Sequence, residues 1–283
     1  MQHFFINKNQ KENNIIKIVG NDVNHIKNVL RCKINEKLEI SVIETEERYL
    51  VEILELNKEN IICKVVEKIE DDFESNVNLN IIQALPKADK MELIIQKCTE
   101  LGVKEITPLE LERCIVKISG KDVEKKLERW QTIAETAAKQ CRRSIIPKIN
   151  NLYNLKNIEE IIKENDLVIL AYENETENSL KDIINELKFR NLQQEISIAA
   201  LNNFGNIKKE TKKEDNISIG IIIGPEGGLE EKEVEYLKNL GVKSVSLGKR
   251  ILRTETVAIV LASIIMYELG NLGEICDYSG PNL

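Results

Sequence analysis

The chain runs to 283 residues, 42% of them hydrophobic and 31% charged, with a formal net charge of −7. That length suits two domains better than one small core, and no apolar run of about 18 residues is present to suggest a membrane-spanning helix. An acidic balance argues against binding nucleic acid through bulk positive charge.

The opening residues, Met1-Gln2-His3-Phe4-Phe5-Ile6-Asn7-Lys8, place no basic stretch ahead of a long apolar run. The expectation is therefore a cytoplasmic protein without a signal peptide or membrane anchor. Six cysteines (Cys32, Cys63, Cys98, Cys114, Cys141 and Cys276) are scattered without a C-x-x-C pair, beside only two histidines. Such spacing favours packed, reduced thiols over a zinc site or a disulfide framework, and no metal is expected. Charge is uneven along the chain. From Met1 to Asp72 there are 11 Lys and Arg against 14 Asp and Glu, whereas Gln83 to Lys148 carries 14 against 10. A basic middle segment can hold a phosphate backbone, although an ordinary solvated surface explains the count equally well.

In chain order, Asp22 to Leu30 predicts a short helix. Glu36–Ile43, Tyr49–Leu56 and Ile61–Val66 predict short strands around a turn at Asn57-Lys58-Glu59-Asn60. Several short strands with little helix suggest a small barrel, and Asp71 to Asn76 is the expected linker. From Asn78 strands and helices alternate. The apolar run Leu79–Leu85 ends at Pro86. Met91, Ile94, Ile95, Cys98 and Leu101 then form one helical stripe that Gly102 stops. Val103–Leu109 is extended, and a long helix from about Val123 to Gln140 carries Leu127, Trp130, Ala134, Ala137 and Cys141. Asp166–Tyr172 and Ile217–Ile223 predict buried strands, and a final helix runs from about Thr256 to Leu269. The alternation implies a parallel sheet with helices on both faces. Between Glu173 and Asn216 the composition turns to Asn, Lys and Glu, and Asn202 to Asp215 reads as a surface insertion.

Chemistry concentrates in the last third. Ile221-Ile222-Ile223 ends in Gly224-Pro225-Glu226-Gly227-Gly228, and a helix follows. Glycines let backbone approach a ligand closely, and ligands of open α/β sheets bind beyond the C-terminal strand ends. The loop is neither a dinucleotide fingerprint nor a phosphate loop. A glycine-rich connection without any ligand accounts for it equally well on its own. A second strand, Val242–Leu247, leads through Gly248 to Arg253-Thr254-Glu255-Thr256, where Thr254 or Thr256 is placed to cap the final helix. Arg253 and Glu255 either pair with each other or face solvent, unless the two loops share a ligand.

The ordered set of motifs resembles the RsmE family of 16S ribosomal RNA uridine-N3 methyltransferases, within the SPOUT α/β-knot superfamily. It spans almost the whole chain: Met1–Phe5, His25–Arg31, Leu85–Lys90, Gln96–Val103, Glu112-Arg113-Cys114, Lys139–Arg143, Pro147, Gly224–Gly228, and Leu247 to Thr256. Departures are modest. Lys139 stands where the family usually has Glu, Cys114 and Cys141 where Ser is common, and the 173–216 region is long.

The resemblance implies an α/β protein with a PUA-like, RNA-binding β-barrel over residues 1–72. A SPOUT domain with a deep trefoil knot follows over 73–283, with a polar insertion near 173–216. It implies a homodimer that binds S-adenosyl-L-methionine and acts on 16S ribosomal RNA within the small ribosomal subunit. Cofactor contacts would come from Leu170, Tyr172, Glu173, Gly224, Pro225, Gly227, Ser246, Leu247, Gly248, Ile251, Leu252 and Arg253, largely through backbone groups. RNA contacts are expected at His25, Arg31, Lys87, Lys90, Arg113, Arg142 and Arg143. Losing the N3 proton of uridine calls for a cation near O2 or O4 and a carboxylate acceptor. Arg253 is the leading residue for the first role, with Glu255 or Glu226 for the second, although Glu226 equally suits ordering its own loop. The competing readings are a SPOUT methyltransferase acting on another rRNA or tRNA nucleotide, and a catalytically silent RNA-binding protein.

Overall fold

The computed structural model describes residues 1–70, 74–189 and 216–273. They divide into two compact units: Met1–Glu74 with Ala134–Pro147, and Ser75–Ile133 with Lys148–Leu283. The end of the long helix and the Arg142-Arg143 segment thus group with the N-terminal strands. Asp71, Asp72 and Phe73 of the expected linker, the stretch Asn202 to Asp215 and Cys276 lie outside the described residues.

The first unit holds a six-stranded mixed sheet in the order β1 (His3–Ile6), β4 (Lys37–Val42), β5 (Arg48–Leu56), β6 (Asn60–Ile69), β3 (Ile15–Val19), β2 (Lys11–Glu12). Only β1 and β4 pair in parallel. The pairing leaves β1 and β2 as edges, so the sheet is a half-barrel. Bulges after Leu50 and Ile53 bend β5, the strand in the middle of the order, as bulges do where sheets curl. Ile16, Ile18, Ile26, Ile40, Val51, Ile53 and Ile61 are at most 1% exposed and form its core with Phe4 and Ile6. The expected first helix is α1 (Asn21–Asn24), continued by a wider π-type turn over His25–Val29, in which the Leu30 N–H reaches His25 O at 2.9 Å. Where the family usually has Glu, Lys139 pairs with Asp22 at 3.1 Å and Glu135 at 2.8 Å.

The second unit is built on a seven-stranded sheet whose pairs are all parallel. Its order is β10 (Tyr153–Asn154), β8 (Glu105–Glu110), β7 (Asn78–Ala84), β12 (Ser218–Ile223), β11 (Leu167–Ala171), β13 (Lys243–Val245), with β9 (Lys148–Ile149) also on β8. All residues of β7 and β12 but the first are buried, as fits strands covered on both faces, although β7 includes the polar Asn80 and Gln83. The connecting helices are α2 (Lys90–Glu100), α3 (Lys121–Gln140), α4 (Ile158–Lys163), α5 (180–189), α6 (Glu231–Asn239) and α7 (Thr254–Glu268). Gly102 follows α2 at φ +90, as a C′ residue should.

The polar region after Glu173 holds a helix not expected from the sequence, with Leu180, Ile183, Ile184 and Leu187 buried along one stripe of α5. One local expectation is corrected. Neither Thr254 nor Thr256 caps α7. Arg253 holds the N-cap position with extended backbone and no side-chain cap bond, and Thr254 is already inside the helix. After β13 the chain leads into α7, which packs against α2, β7 and β12.

Candidate functional site

The register levels one edge of the sheet. Ile223 lies opposite Ala171 and Gln83, Ala84 opposite Leu109, and Ala171 opposite Val245. The C-terminal ends of β7, β8, β11, β12 and β13 are therefore level, and the loops that follow them lie side by side. In a parallel sheet this edge is where ligands bind.

The loop after β12 is fixed by its neighbours. Gly228 sits at φ +69, and a β-carbon there would fall 2.7 Å from Glu173 Oε1 in the loop after β11. At Gly224 a β-carbon would fall 2.7 Å from Leu229 Cδ1. Glycine is favoured at Gly228 by its positive φ, and at Gly224 a side chain would displace the buried Leu229. The Gly228 N–H closes the turn on Pro225 O at 2.9 Å, and Arg113 Nη1 donates to Gly227 O at 3.1 Å. Buried Glu233 starts α6: its carboxylate accepts the N–H groups of Glu230 and of Glu112, both at 2.9 Å. That capping box also ties the loop after β8 to this helix.

A hydroxyl relay joins two strand ends to the start of α7. Gln83 Nε2 donates to Ala84 O and to Thr254 Oγ1, and Thr254 Oγ1 donates to Gly224 O, each at 2.8 Å. Gln83 is fully buried and Thr254 is 6% exposed. The sequence marked Thr254 only as a candidate cap and Gln83 not at all, because partners 171 and 30 residues apart leave no local signal.

Charged groups converge beside the relay. Lys90 Nζ lies 2.9 Å from Glu226 Oε1 and 3.1 Å from Glu255 Oε2. Burial works to raise the Glu226 carboxyl. The Lys90 hydrogen bond and the N–H groups of Glu226 and Lys87 outweigh it and hold the carboxyl below its ordinary range. Glu255 pairs with Lys90 and not with Arg253. Arg253 is exposed, and no hydrogen bond or ion pair of its side chain occurs among the described residues.

The remaining expected cofactor residues line the same edge. Leu170 is wholly buried within β11, Tyr172 is half-buried, and the Tyr172 N–H reaches Val245 O at 3.1 Å. Pro225 is buried, and Ser246 and Leu247 are half-buried. Gly248 is exposed at φ +102, with open space on the side where a β-carbon would sit, and its N–H donates to Ser246 Oγ at 3.2 Å. Leu252 is half-buried and Ile251 is 91% exposed. Nearby, buried Glu175 holds the start of the loop after β11. Its carboxyl is drawn down to about 2 by the Ser244 hydroxyl, then by the Glu177 N–H and Lys238.

The expected RNA contacts divide between the units. Lys87 and Arg113 are exposed in the second. In the first, His25 and Arg31 are exposed, with His25 edge-on to Phe4 at 5.9 Å, and Arg142 is half-exposed at φ +60. Arg143 is different and revises its expectation. It is 5% exposed, and its Nη2 meets Glu74 Oε2 at 2.7 Å while Nε faces both Glu74 oxygens at 3.2 Å. The same carboxylate accepts the N–H groups of Ser144 and Ile145. This guanidinium holds its own unit together and is not presented to a phosphate.

Comparison with known proteins agrees with this layout. Residues 73–266 match the family model of the RNA methyltransferase domain, and residues 18–66 that of the RNA methyltransferase PUA domain. The chain is 32% identical over 271 residues to ribosomal RNA small subunit methyltransferase E of Bacillus subtilis, covering 95% of this chain and 97% of that protein. It is 34% identical over 261 residues to the protein of that name from Mesomycoplasma hyopneumoniae, covering 92% and 97%. Among solved structures it is similar to the Neisseria gonorrhoeae ribosomal RNA small subunit methyltransferase E bound to S-adenosyl methionine. The TM-score is 0.75 at 26% identity, over 96% of this chain and 99% of that one. A Legionella pneumophila methyltransferase in complex with the same cofactor gives a TM-score of 0.73 at 26% identity, covering 95% and 98%. The family models and these relatives span almost the whole chain, which belongs to the RNA methyltransferase family of the ribosomal RNA small subunit methyltransferases E.

Proposed function

We propose that this protein methylates N3 of a uridine in 16S ribosomal RNA, with S-adenosyl-L-methionine as methyl donor. The observation that carries the reading is a level C-terminal sheet edge on which the loops after β12 and β13 carry glycines. Gly228 cannot carry a side chain without meeting Glu173, while Gly248 opens its backbone to free space. Backbone groups of Gly224, Gly227, Tyr172 and the Ser246–Arg253 segment would hold the cofactor, and its relatives from Neisseria gonorrhoeae and Legionella pneumophila carry it. When bound, the cofactor supplies an electrophilic methyl group on a sulfonium.

The chain's own contribution is alignment and charge. Holding two reactants in line is worth on the order of 7–11 kcal/mol of the barrier. Uridine N3 carries a proton at neutral pH, and Arg253, exposed at the mouth of the edge, is placed to stabilise the deprotonated base through O2 or O4. Both carboxylates lie beside Lys90, but Glu226 also accepts the Lys87 N–H and is held below the usual range, which makes it the weaker base. Glu255, beside Arg253 in the first turn of α7, is the proton acceptor.

The second unit works as a homodimer. Nearly every face of α7 is apolar: Ala258, Leu261, Ala262, Ile265 and Met266 are buried, whereas Val257, Val260 and Ile264 stay half-exposed and Tyr267 is 66% exposed. A helix apolar all round calls for cover on its second face, and a second copy supplies it. The half-barrel, with His25 and Arg31, binds RNA of the small subunit.

Mass spectrometry of small-subunit RNA from cells with and without the gene tests the activity. One uridine should lose a base methyl in the deletion and regain it on complementation. Loss of a methyl from a different RNA or nucleotide would redirect the substrate. No change in any RNA would leave a silent binding protein.

A further inference from the structure

Lys87, Ala88, Asp89 and Lys90 form the turn from β7 into α2, and two donors of this turn end on one oxygen. The Lys87 N–H reaches Glu226 Oε1 at 3.1 Å and the Lys90 ammonium reaches it at 2.9 Å. The same ammonium lies 3.1 Å from Glu255 Oε2. Glu226 belongs to the glycine loop after β12, and Glu255 to the first turn of α7. One lysine therefore spans both segments of the edge that carry the candidate chemistry.

The turn is bent to achieve this. Ala88 is held at φ +54, in the left-handed region that residues with a β-carbon avoid. Such a residue persists where surrounding contacts over-determine it, and the contacts of Lys87 and Lys90 with the carboxylates flank it on both sides. Charge points the same way. Two carboxylates share one ammonium, so this cluster carries a net negative charge and repels a phosphate. The three side chains are only 27%, 24% and 13% exposed for Lys90, Glu226 and Glu255.

We propose that Lys90 is a positioning residue that clasps the Gly224–Gly228 loop to the start of α7, and is not an RNA phosphate contact. The proposal rests on the functional reading above only in naming S-adenosyl-L-methionine as what the clasped loops hold. An ammonium has three N–H donors, and this one lies at ion-pair distance from both carboxylates, 2.9 Å from Glu226 Oε1 and 3.1 Å from the buried Glu255 Oε2, which has no hydrogen-bond partner among the described residues. A guanidinium can bridge the same pair, whereas a thioether of similar length cannot.

The test uses the full chain as wild type, K90M, K90R and E226Q. Three properties are measured: amide hydrogen exchange of residues 224–229 and 253–257, calorimetric titration with S-adenosylhomocysteine, and the salt dependence of binding to a small-subunit RNA fragment. In K90M, exchange of both segments should quicken and S-adenosylhomocysteine should bind about tenfold more weakly, a loss that K90R largely restores. The slope of log affinity against log salt should not change. E226Q keeps the size of the side chain and removes its charge, so it should quicken exchange as K90M does; it carries the test if K90M does not fold. Wild-type exchange rates in K90M or E226Q overturn the clasp. A salt slope shallower by about 1 with unaltered exchange also overturns it and gives Lys90 to a phosphate. If wild type itself ignores S-adenosylhomocysteine, the cofactor reading fails, and the exchange rates still decide the clasp.

Discussion

Replacing Thr254 by valine removes one oxygen from the centre of the edge and leaves shape almost unchanged. Its hydroxyl donates to Gly224 O and accepts from Gln83 Nε2, both at 2.8 Å. In Thr254→Val the Gly224 carbonyl loses that donor, at a cost of about 1–3 kcal/mol for a polar group left unsatisfied. Gln83 keeps its bond to Ala84 O, so its loss is nearer 0.5–1.5 kcal/mol, roughly one ordinary hydrogen bond. Together these give about 2–4 kcal/mol. At roughly 2–4 °C per kcal/mol for a domain of this size, melting of the second unit should fall by about 4–16 °C. Thr254→Ser keeps the oxygen and forfeits a methyl group, so it should recover most of the loss. Scanning calorimetry of the full chain reads both. Gln83→Met supplies a further arm, because Gln83 Oε1 is buried with no hydrogen-bond partner among the described residues. The double variant should then be less destabilised than the two single losses added together. The reasoning is refuted if Thr254→Val melts within about 1 °C of wild type while Thr254→Ser melts lower than either.

Arg253→Ala should leave stability within about 0.5 kcal/mol, as for an exposed side chain without partners. It should leave S-adenosylhomocysteine binding near wild type and lower turnover by about 10²–10³-fold, the usual loss of one transition-state donor; wild-type turnover would remove Arg253 from the mechanism. Arg143→Met strands Glu74 in a pair whose side chains are 6% and 11% exposed, and should cost about 3–5 kcal/mol. Urea unfolding checks that loss, while the salt slope of RNA binding should respond to Arg142→Ala, by about 1, and not to Arg143. His3 governs an acid limit. Burial first, then Arg48, Lys139 and Arg142, lowers its pKa to about 3. The unfolded chain takes up that proton first, so the contribution of neutral His3 is intact above about pH 6.5 and drains away as pH falls toward 3. His3→Asn should flatten this part of the stability–pH curve, and an unchanged curve would show that other groups set the limit.

How much of this was legible depends on whether the signal is local. Helices with a clean stripe were, and α2 ends at the glycine that the spacing names. Parallel strands β7 and β12 were legible as buried apolar runs, but not as neighbours, since Asn78 pairs with Ser218 across the whole intervening fold. β1 gave no alternation because all four of its residues are buried. β3 hid its alternation because Ile15 and Val19, on its outer face, are as apolar as Ile16 and Ile18 within. The stripe of α5 was present at i, i+3, i+4 and i+7 and was overridden by the polar composition around it. A mean over forty residues is a poor witness for four positions.

The site divides along the same line, and its charges show why. Glycine loops announce themselves, since backbone freedom is a property of single residues. Charges do not, because a side chain's role is set by its partner. Of the basic residues counted in the middle segment, Lys97, Lys117 and Arg129 meet acids of the same segment, and Lys90, Lys139 and Arg143 meet acids outside it. Three of the four excess charges are therefore met by carboxylates elsewhere in the fold. Arg142 and Arg143 make the point most sharply, being identical and adjacent in sequence. A left-handed residue at Arg142, φ +60, turns the chain between them. One guanidinium then stays half-exposed, and its neighbour is buried against Glu74. No count of charges can separate those two fates, because what separates them is a backbone angle and a glutamate 69 residues away.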